Sequence, residues 1–127
     1  QCLKAYLEKE LGLPIIIPTE AAVANAVGAC LTRPTDSLEV YVDTGRQELR
    51  APRLDHRESV NRSVRENDVK KRACELLTEH LRSQNVEDCA VEVIEADLFA
   101  TLDDYGSGSK DIRVTAQAVP GILARPV

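Results

Sequence analysis

The sequence predicts a mixed α/β fold that becomes α+β in its second part, and three observations predict it. Three consecutive isoleucines, residues 15–17, lie between Pro14 and Pro18. That run is too short for a helix and fits a strand buried on both faces. Apolar residues recur at helical spacing on either side of it, at Leu3, Leu7 and Leu11 before and throughout residues 21–29 after. Beyond residue 37 the grammar changes: apolar residues alternate with polar ones, the period of half-exposed strands, around one amphipathic helix.

The first helix is expected over residues 3–11, with Gly12 at C′ and Pro14 as a stop. The second is expected over residues 21–29. Pro18 and Thr19 suit its N′ and N-cap positions, and Glu20 suits the positive end of its dipole. Only Asn25 is strongly polar there, so this helix shows no solvent face, and its alanines with Gly28 allow close backbone approach. Helix, buried strand, helix is the order typical of a sheet with parallel strands. The polar, proline-containing joint at residues 33–37 is the expected boundary, dividing the chain into 1–34 and 35–127.

In the second part Leu38, Val40 and Val42 alternate with polar residues, Asp43-Thr44-Gly45 supplies turn chemistry, and residues 47–51 return as a hairpin partner. Residues 52–62 are polar and carry no clear pattern. Val69, Ala73, Leu76, Leu77 and Leu81 form one apolar helical stripe. Ser63 with Glu66 suits a capping box there, with Asn67 as a competing N-cap, and the helix should fade near residues 83–85. Val91 and Val93 begin a strand that Leu98, Ala100 and Leu102 continue with opposite parity, so a bulge or break is expected near residues 95–97. Residues 105–110 read as a loop or hairpin end, and Ile112, Val114, Ala116 and Ala118 as the last strand. The order is β-β-α-β-β, one helix over an antiparallel sheet.

Composition bounds the function. The 127 residues fit one domain with an appendage, and the net charge of −5 argues against a general nucleic-acid binder. No stretch has the apolar length of a membrane span, and no signal-peptide pattern opens the chain. It starts at Gln1 and contains no methionine, which leads us to expect a fragment of something longer. Cys2, Cys30, Cys74 and Cys89 lack paired spacing and His56 and His80 stand apart, so reduced structural cysteines in a cytoplasmic protein are expected, with no metal ligand set.

Few residues suggest chemistry. Asp43-Thr44-Gly45 superficially matches the aspartic-protease loop and the phosphate hairpin of actin-like ATPases, but Arg46, Gln47 and Glu48 follow, which fits neither; a tight turn is favoured. Residues 106–110 lack the spacing and the following helix of a P-loop, and a flexible loop is favoured. Residues 46–72 are locally basic, whereas residues 87–104 hold seven acids and no Lys or Arg. These are either a surface for a charged partner or two solvated faces, with solvation favoured. Glu92, Glu95 and Asp97 lack the loop spacing that fixes a cation. Thr19 and Glu20 lie where strand hands over to helix, the edge along which open α/β sheets bind ligands. Capping competes with ligand contact there. Asn25 is read chiefly as a bridge across a helix–helix contact.

Ala22, Val23, Ala24, Asn25, Ala26, Gly28 and Ala29, preceded by the isoleucine run and by helix 3–11, resemble the hydantoinase/oxoprolinase family. In its hydantoinase A-type subunits an alanine-rich helix of this form closes the second lobe of an actin/hexokinase-like ATPase fold. The match covers about thirty residues; the family's N-terminal phosphate motif and glycine-rich adenosine loop are absent. The resemblance implies a C-terminal fragment, itself non-catalytic, of an ATP-dependent hydrolase that opens cyclic amides such as hydantoin or 5-oxoproline. It implies ATP and Mg in the parent and none in the fragment. The implied partners are the rest of the parent chain and a second hydantoinase-type subunit, without nucleic acid or membrane. Thr19, Glu20 and Asn25 would stand weakly near the nucleotide lobe. For such a wall, residues 21–29 must be interior and the isoleucines part of a sheet. The alternatives are an ATPase of the same architecture with a reactivase or carboxylase-subunit role, and a stand-alone binding or oligomerisation module.

Overall fold

The computed structural model describes residues 2–87, 89–102 and 108–122. The chain divides between Thr32 and Arg33 into two units, compared with the boundary expected after residue 34.

The first unit is helical. Helix α1 (Cys2–Leu11) ends as expected at Gly12, whose φ of 64° is the left-handed conformation glycine adopts without strain. The Gly12 N–H donates to the Glu8 carbonyl at 3.0 Å, and the Glu8 carboxylate accepts the Ile15 N–H at 3.1 Å. The expected strand at 15–17 is not formed. A strand exists only by pairing, and no strand lies within residues 2–32, so the isoleucines run as irregular chain with Ile16 88% exposed. The next helix also differs from expectation. Thr19–Val23 form a 3-10 turn, opened by the Ala21 N–H bonding the Pro18 carbonyl at 3.1 Å, and α2 proper is Ala24–Leu31. Thr19 therefore does not cap it. No residue of α2 is buried, and a methyl group added at Gly28 would meet nothing within 4 Å. The expected interior, close-packed helix is a surface helix here.

The second unit is a five-stranded antiparallel sheet with one helix on it. The strands are β1 (Ser37–Asp43), β2 (Glu48–Ala51), β3 (His56–Ser59), β4 (Val91–Leu102) and β5 (Gly108–Ala118), in the order β3-β2-β1-β5-β4. The expected β-β-α-β-β order gains a third strand before the helix. Its sequence, His-Arg-Glu-Ser, has no apolar alternation to reveal it. It is a strand because its backbone completes the ladder of β2, with Leu49 opposite Glu58 and Ala51 opposite His56.

Alternation fixes which face is core. Leu38, Val40 and Val42 of β1 stand opposite Ala116, Val114 and Ile112 of β5, and all six are buried. Helix α3 (Glu66–Ser83) lays Val69, Ala73, Leu76, Leu77 and Leu81 onto this face. Full burial of one such leucine contributes about 1.5–3 kcal/mol. In β4 the parity change expected from sequence is a bulge at Ile94: Val93 pairs with Ala116 and Glu95 with Thr115, so Val91, Val93 and Ala96 all reach the core side. The bulge falls one residue before the expected stretch. Residues 105–107 of the expected loop or hairpin end at 105–110 lie outside the described residues; 108–110 are strand.

Local chemistry secures the ends. In the β1–β2 turn the Asp43 carboxylate accepts the Arg46 N–H at 2.9 Å, and buried Thr44 binds Lys110 twice. Its N–H donates to the Lys110 carbonyl (3.0 Å) and its Oγ1 accepts the Lys110 N–H (2.7 Å). Space, not φ, requires Gly45: a Cβ there would lie 3.2 Å from Asp43 Oδ1 and Ser109 Cβ. Neither Ser63 nor Asn67 caps α3. Arg65 occupies the N-cap, and Asp68 accepts its N–H at 3.1 Å. At the other end Asn85 takes a positive φ of 60°, while the Val86 N–H bonds the Leu81 carbonyl and the Asn85 N–H the Arg82 carbonyl, each at 3.0 Å. That is a Schellman motif with asparagine in the glycine position.

Glu58 of β3 ties the sheet edge to the helix. It accepts from Arg72 Nε and Nη2 at 2.9 Å and contacts His56 Nε2 at 2.9 Å. The Arg72 guanidinium, helped by His56 and opposed by partial burial, holds its carboxyl well below the usual range, at about 2.

Asn85→Gly removes the left-handed strain without removing a contact and should raise stability by about 0.5–1 kcal/mol, read as a higher urea midpoint with unchanged slope. Glu58, with its folded pKa depressed, stabilises fully above its ordinary value of 4.5, and the contribution vanishes as pH falls toward 2. Glu58→Gln should accordingly cost about 1 kcal/mol at neutral pH, with the urea midpoints of variant and parent converging below pH 4.5.

Candidate functional site

The helix-free face of the sheet gathers the side chains that alternation turns away from the core. Antiparallel register stacks them into rows across the strands. One row runs Arg57, Arg50, Tyr41, Arg113, Asp97 from β3 to β4. Glu39, Thr115 and Glu95 form the row on one side; Glu48, Asp43, Asp111 and Phe99 form the row on the other. A cationic row with a tyrosine at its centre thus lies between two acidic ones.

Two shallow concavities follow from this relief. The larger, about 520 Å³, is lined by Tyr41, Arg46, Glu48, Arg50, Phe99, Asp111 and Arg113 among others. Its neighbour, about 510 Å³, shares Tyr41 and adds Glu39, Arg53, Glu95 and Thr115.

The charges are largely matched in place. Glu48 accepts from the Arg50 guanidinium and lies 3.9 Å from Arg57, and the Arg50 contact pulls its carboxyl pKa down. Arg113 Nη2 reaches Asp97 at 2.9 Å and Glu95 at 3.4 Å, contacts that raise the guanidinium pKa further. The Tyr41 hydroxyl donates to Glu39 at 2.6 Å; that bond, partial burial and the carboxylate charge all push the phenol pKa up, against a smaller effect of Arg113. Arg113 Nε and Thr115 Oγ1 are buried without a hydrogen-bond partner among the described residues. This face offers stacking, cationic and carboxylate contacts for binding.

The residues expected near a nucleotide lobe lie elsewhere. Thr19 and Glu20 belong to the 3-10 turn and Asn25 to the first turn of α2, all exposed. They share one short segment, but Asn25 makes no buried helix–helix bridge. Asp43-Thr44-Gly45 is the β1–β2 turn, as favoured from sequence. Gly108, Ser109 and Lys110 pair with Leu102, Thr101 and Ala100, which engages their backbone in a ladder and leaves no phosphate cradle; Gly106 and Ser107 lie outside the described residues. Much of the basic stretch is ion-paired: Arg46 with Asp43, Arg53 with Asp36, Lys70 with Glu66, Arg72 with Glu58; Arg62, Arg65 and Lys71 have no ion pair among the described residues. Glu95 and Asp97 hold a guanidinium, not a cation site. Cys74 packs against the core, and burial raises its thiol pKa, whereas Cys30 is exposed. Among the described residues no helix is long and apolar enough to cross a membrane.

Comparison with protein-family models, with curated proteins and with solved structures gives no match for this chain. The outer-face rows were invisible from sequence because they depend on register. The only signal was the polar parity of each strand taken separately.

With Tyr41 as the probe, Glu39→Gln should bring its phenol titration down toward 10.0, followed by the ring resonances of the three tyrosines across alkaline pH. An unmoved titration would show that the hydroxyl–carboxylate bond does not form in solution.

Proposed function

We propose that the chain is a non-catalytic assembly part of a larger ATP-dependent hydrolase of the hydantoinase/oxoprolinase type, opening cyclic amides such as hydantoin or 5-oxoproline. In this reading residues 1–34 complete a nucleotide lobe that the rest of the parent supplies, and residues 35–127 form an α+β extension. ATP and Mg would bind in the parent. The protein would be cytoplasmic and would work with a second hydantoinase-type subunit.

One observation supports an assembly role above all. The first unit carries apolar side chains it does not bury: Leu3, Leu11, Ile16, Ile17, Val23 and Val27 are all between 45% and 88% exposed. A ten-residue and an eight-residue helix are marginal by themselves in water. Such segments gain stability by being covered, and the isoleucine run needs a strand to pair with. The seven matching residues around Asn25 are what names the family. Within this chain the alanine helix is on the surface and the isoleucines lie outside any sheet, so the wall reading rests on cover from residues beyond these. The self-contained second unit, with its own core, equally favours a binding or oligomerisation module as the second reading.

Hydrogen exchange decides between them. In the isolated chain, amides of residues 15–29 should exchange within the dead time while α3 and β5 stay protected. In the full parent protein those same amides should become protected, and the parent should release ADP in step with ring opening of hydantoin or 5-oxoproline. The isolated chain should hydrolyse no ATP. Unprotected 15–29 amides in the parent would sink the wall reading; protection without cyclic-amide turnover would leave the assembly role and remove the named chemistry.

A further inference from the structure

The two edges of the sheet are treated differently. At one edge β3 has four residues, is preceded by the Pro52–Leu54 turn and is tied down by Glu58, His56 and Arg72. These are the devices that keep sheet edges from pairing. At the other edge β4 has twelve residues and contains no proline, lysine or arginine. Its one protective irregularity is the bulge at Ile94, beyond which residues 95–102 keep unbroken register with β5. Among the described residues no strand lies outside it, so no ladder among them engages its outward N–H and C=O groups. Apolar side chains accompany this open edge: Ile94, Leu98, Phe99 and Leu102 are 46% to 79% exposed.

We propose that the free edge of β4 binds an extended peptide segment in which basic side chains alternate with apolar ones, added as a further strand. The strand's two parities select that partner. Glu92, Glu95 and Asp97 point to the helix-free face, where Glu95 and Asp97 share a single guanidinium, Arg113, and Glu92 has no ion pair among the described residues. Ala96, Leu98, Ala100 and Leu102 point to the helix side, where Leu98 and Leu102 are not covered by α3. An incoming strand therefore meets carboxylates on one face and apolar surface on the other. Main-chain bonds supply the affinity and this alternation the specificity. A second copy of β4 is a poorer occupant, because self-pairing sets the same acids alongside each other, and like charges across a ladder destabilise it. The site belongs to the second unit and does not depend on the hydrolase reading.

The test uses the full chain and a fluorescent peptide of about ten residues alternating lysine and valine, matched to the strand length. Anisotropy should show saturable binding, weakened about tenfold or more by Glu92→Lys with Glu95→Lys and by added salt. Backbone N-methylation of alternate peptide residues should abolish it, since the side chains remain while the ladder cannot form. Hydrogen exchange should show new protection confined to β4. Unchanged helix circular dichroism in the double variant confirms that it is folded; should it unfold, the N-methylated peptide alone decides. Equal binding of the N-methylated peptide, equal binding of an alternating glutamate–valine peptide, or no binding up to about 1 mM would each overturn the proposal. So would β4 protection that rises with protein concentration in the absence of peptide, which would assign the edge to a second copy.

Discussion

The burial of α3's apolar stripe on one face of the sheet is the interaction from which the rest of the second unit follows. Leu76, Leu77 and Leu81 cannot leave water unless β1 and β5 lie side by side beneath them, although some seventy residues of sequence separate those strands. Once they do, alternation sends every second side chain to the opposite face. The rows around Tyr41 are thus a consequence of packing on the other side of the sheet. Thr44 and Lys110 close one end of the central strand pair through two hydrogen bonds, and the Asp36 carboxylate, held by Arg53, lies at the start of β1.

The first unit shows what happens where that interaction is missing. Some of its local signals hold: Gly12 ends α1 in the expected conformation, and α2 forms although only its alanines and Leu31 are strong helix formers. Yet no described residue of α2 is buried, and most apolar side chains of the two helices are exposed. Local propensity sets what a segment becomes when it is helical, whereas burial sets whether that helix is stable. The second unit, residues 33–122, has its own buried core, whereas the first leaves most of its apolar side chains exposed.

The outer face has a different logic. Its arginines and carboxylates neutralise one another, which suits recognition through shape and stacking better than strong binding of a single ion. The sheet edges divide the same way, one short and knotted by charge, the other long and acidic with apolar side chains beside it. Fold and electrostatics together direct association toward β4 and away from β3.

Much of the second unit was legible from residues alone. The five apolar positions of α3, the four of β5 and the parity change in β4 follow from period and bulge arithmetic that any compact arrangement must respect. The helix caps were not, because Asp68 and Asn85 act through geometry that competing cap candidates such as Ser63 and Asn67 also suggest. Strand β3 was hidden because a charged edge strand has no hydrophobic period; only its hydrogen bonds to β2 make it a strand. The isoleucine run differs from expectation for the converse reason: three apolar β-branched residues have strand propensity, but a strand needs a partner, and pairing is a property of two segments. The order of residues alone sets which of them prefer to leave water and with what periodicity. Which of them do so depends on packing, since burial, register and the rows of the outer face exist only once distant segments meet.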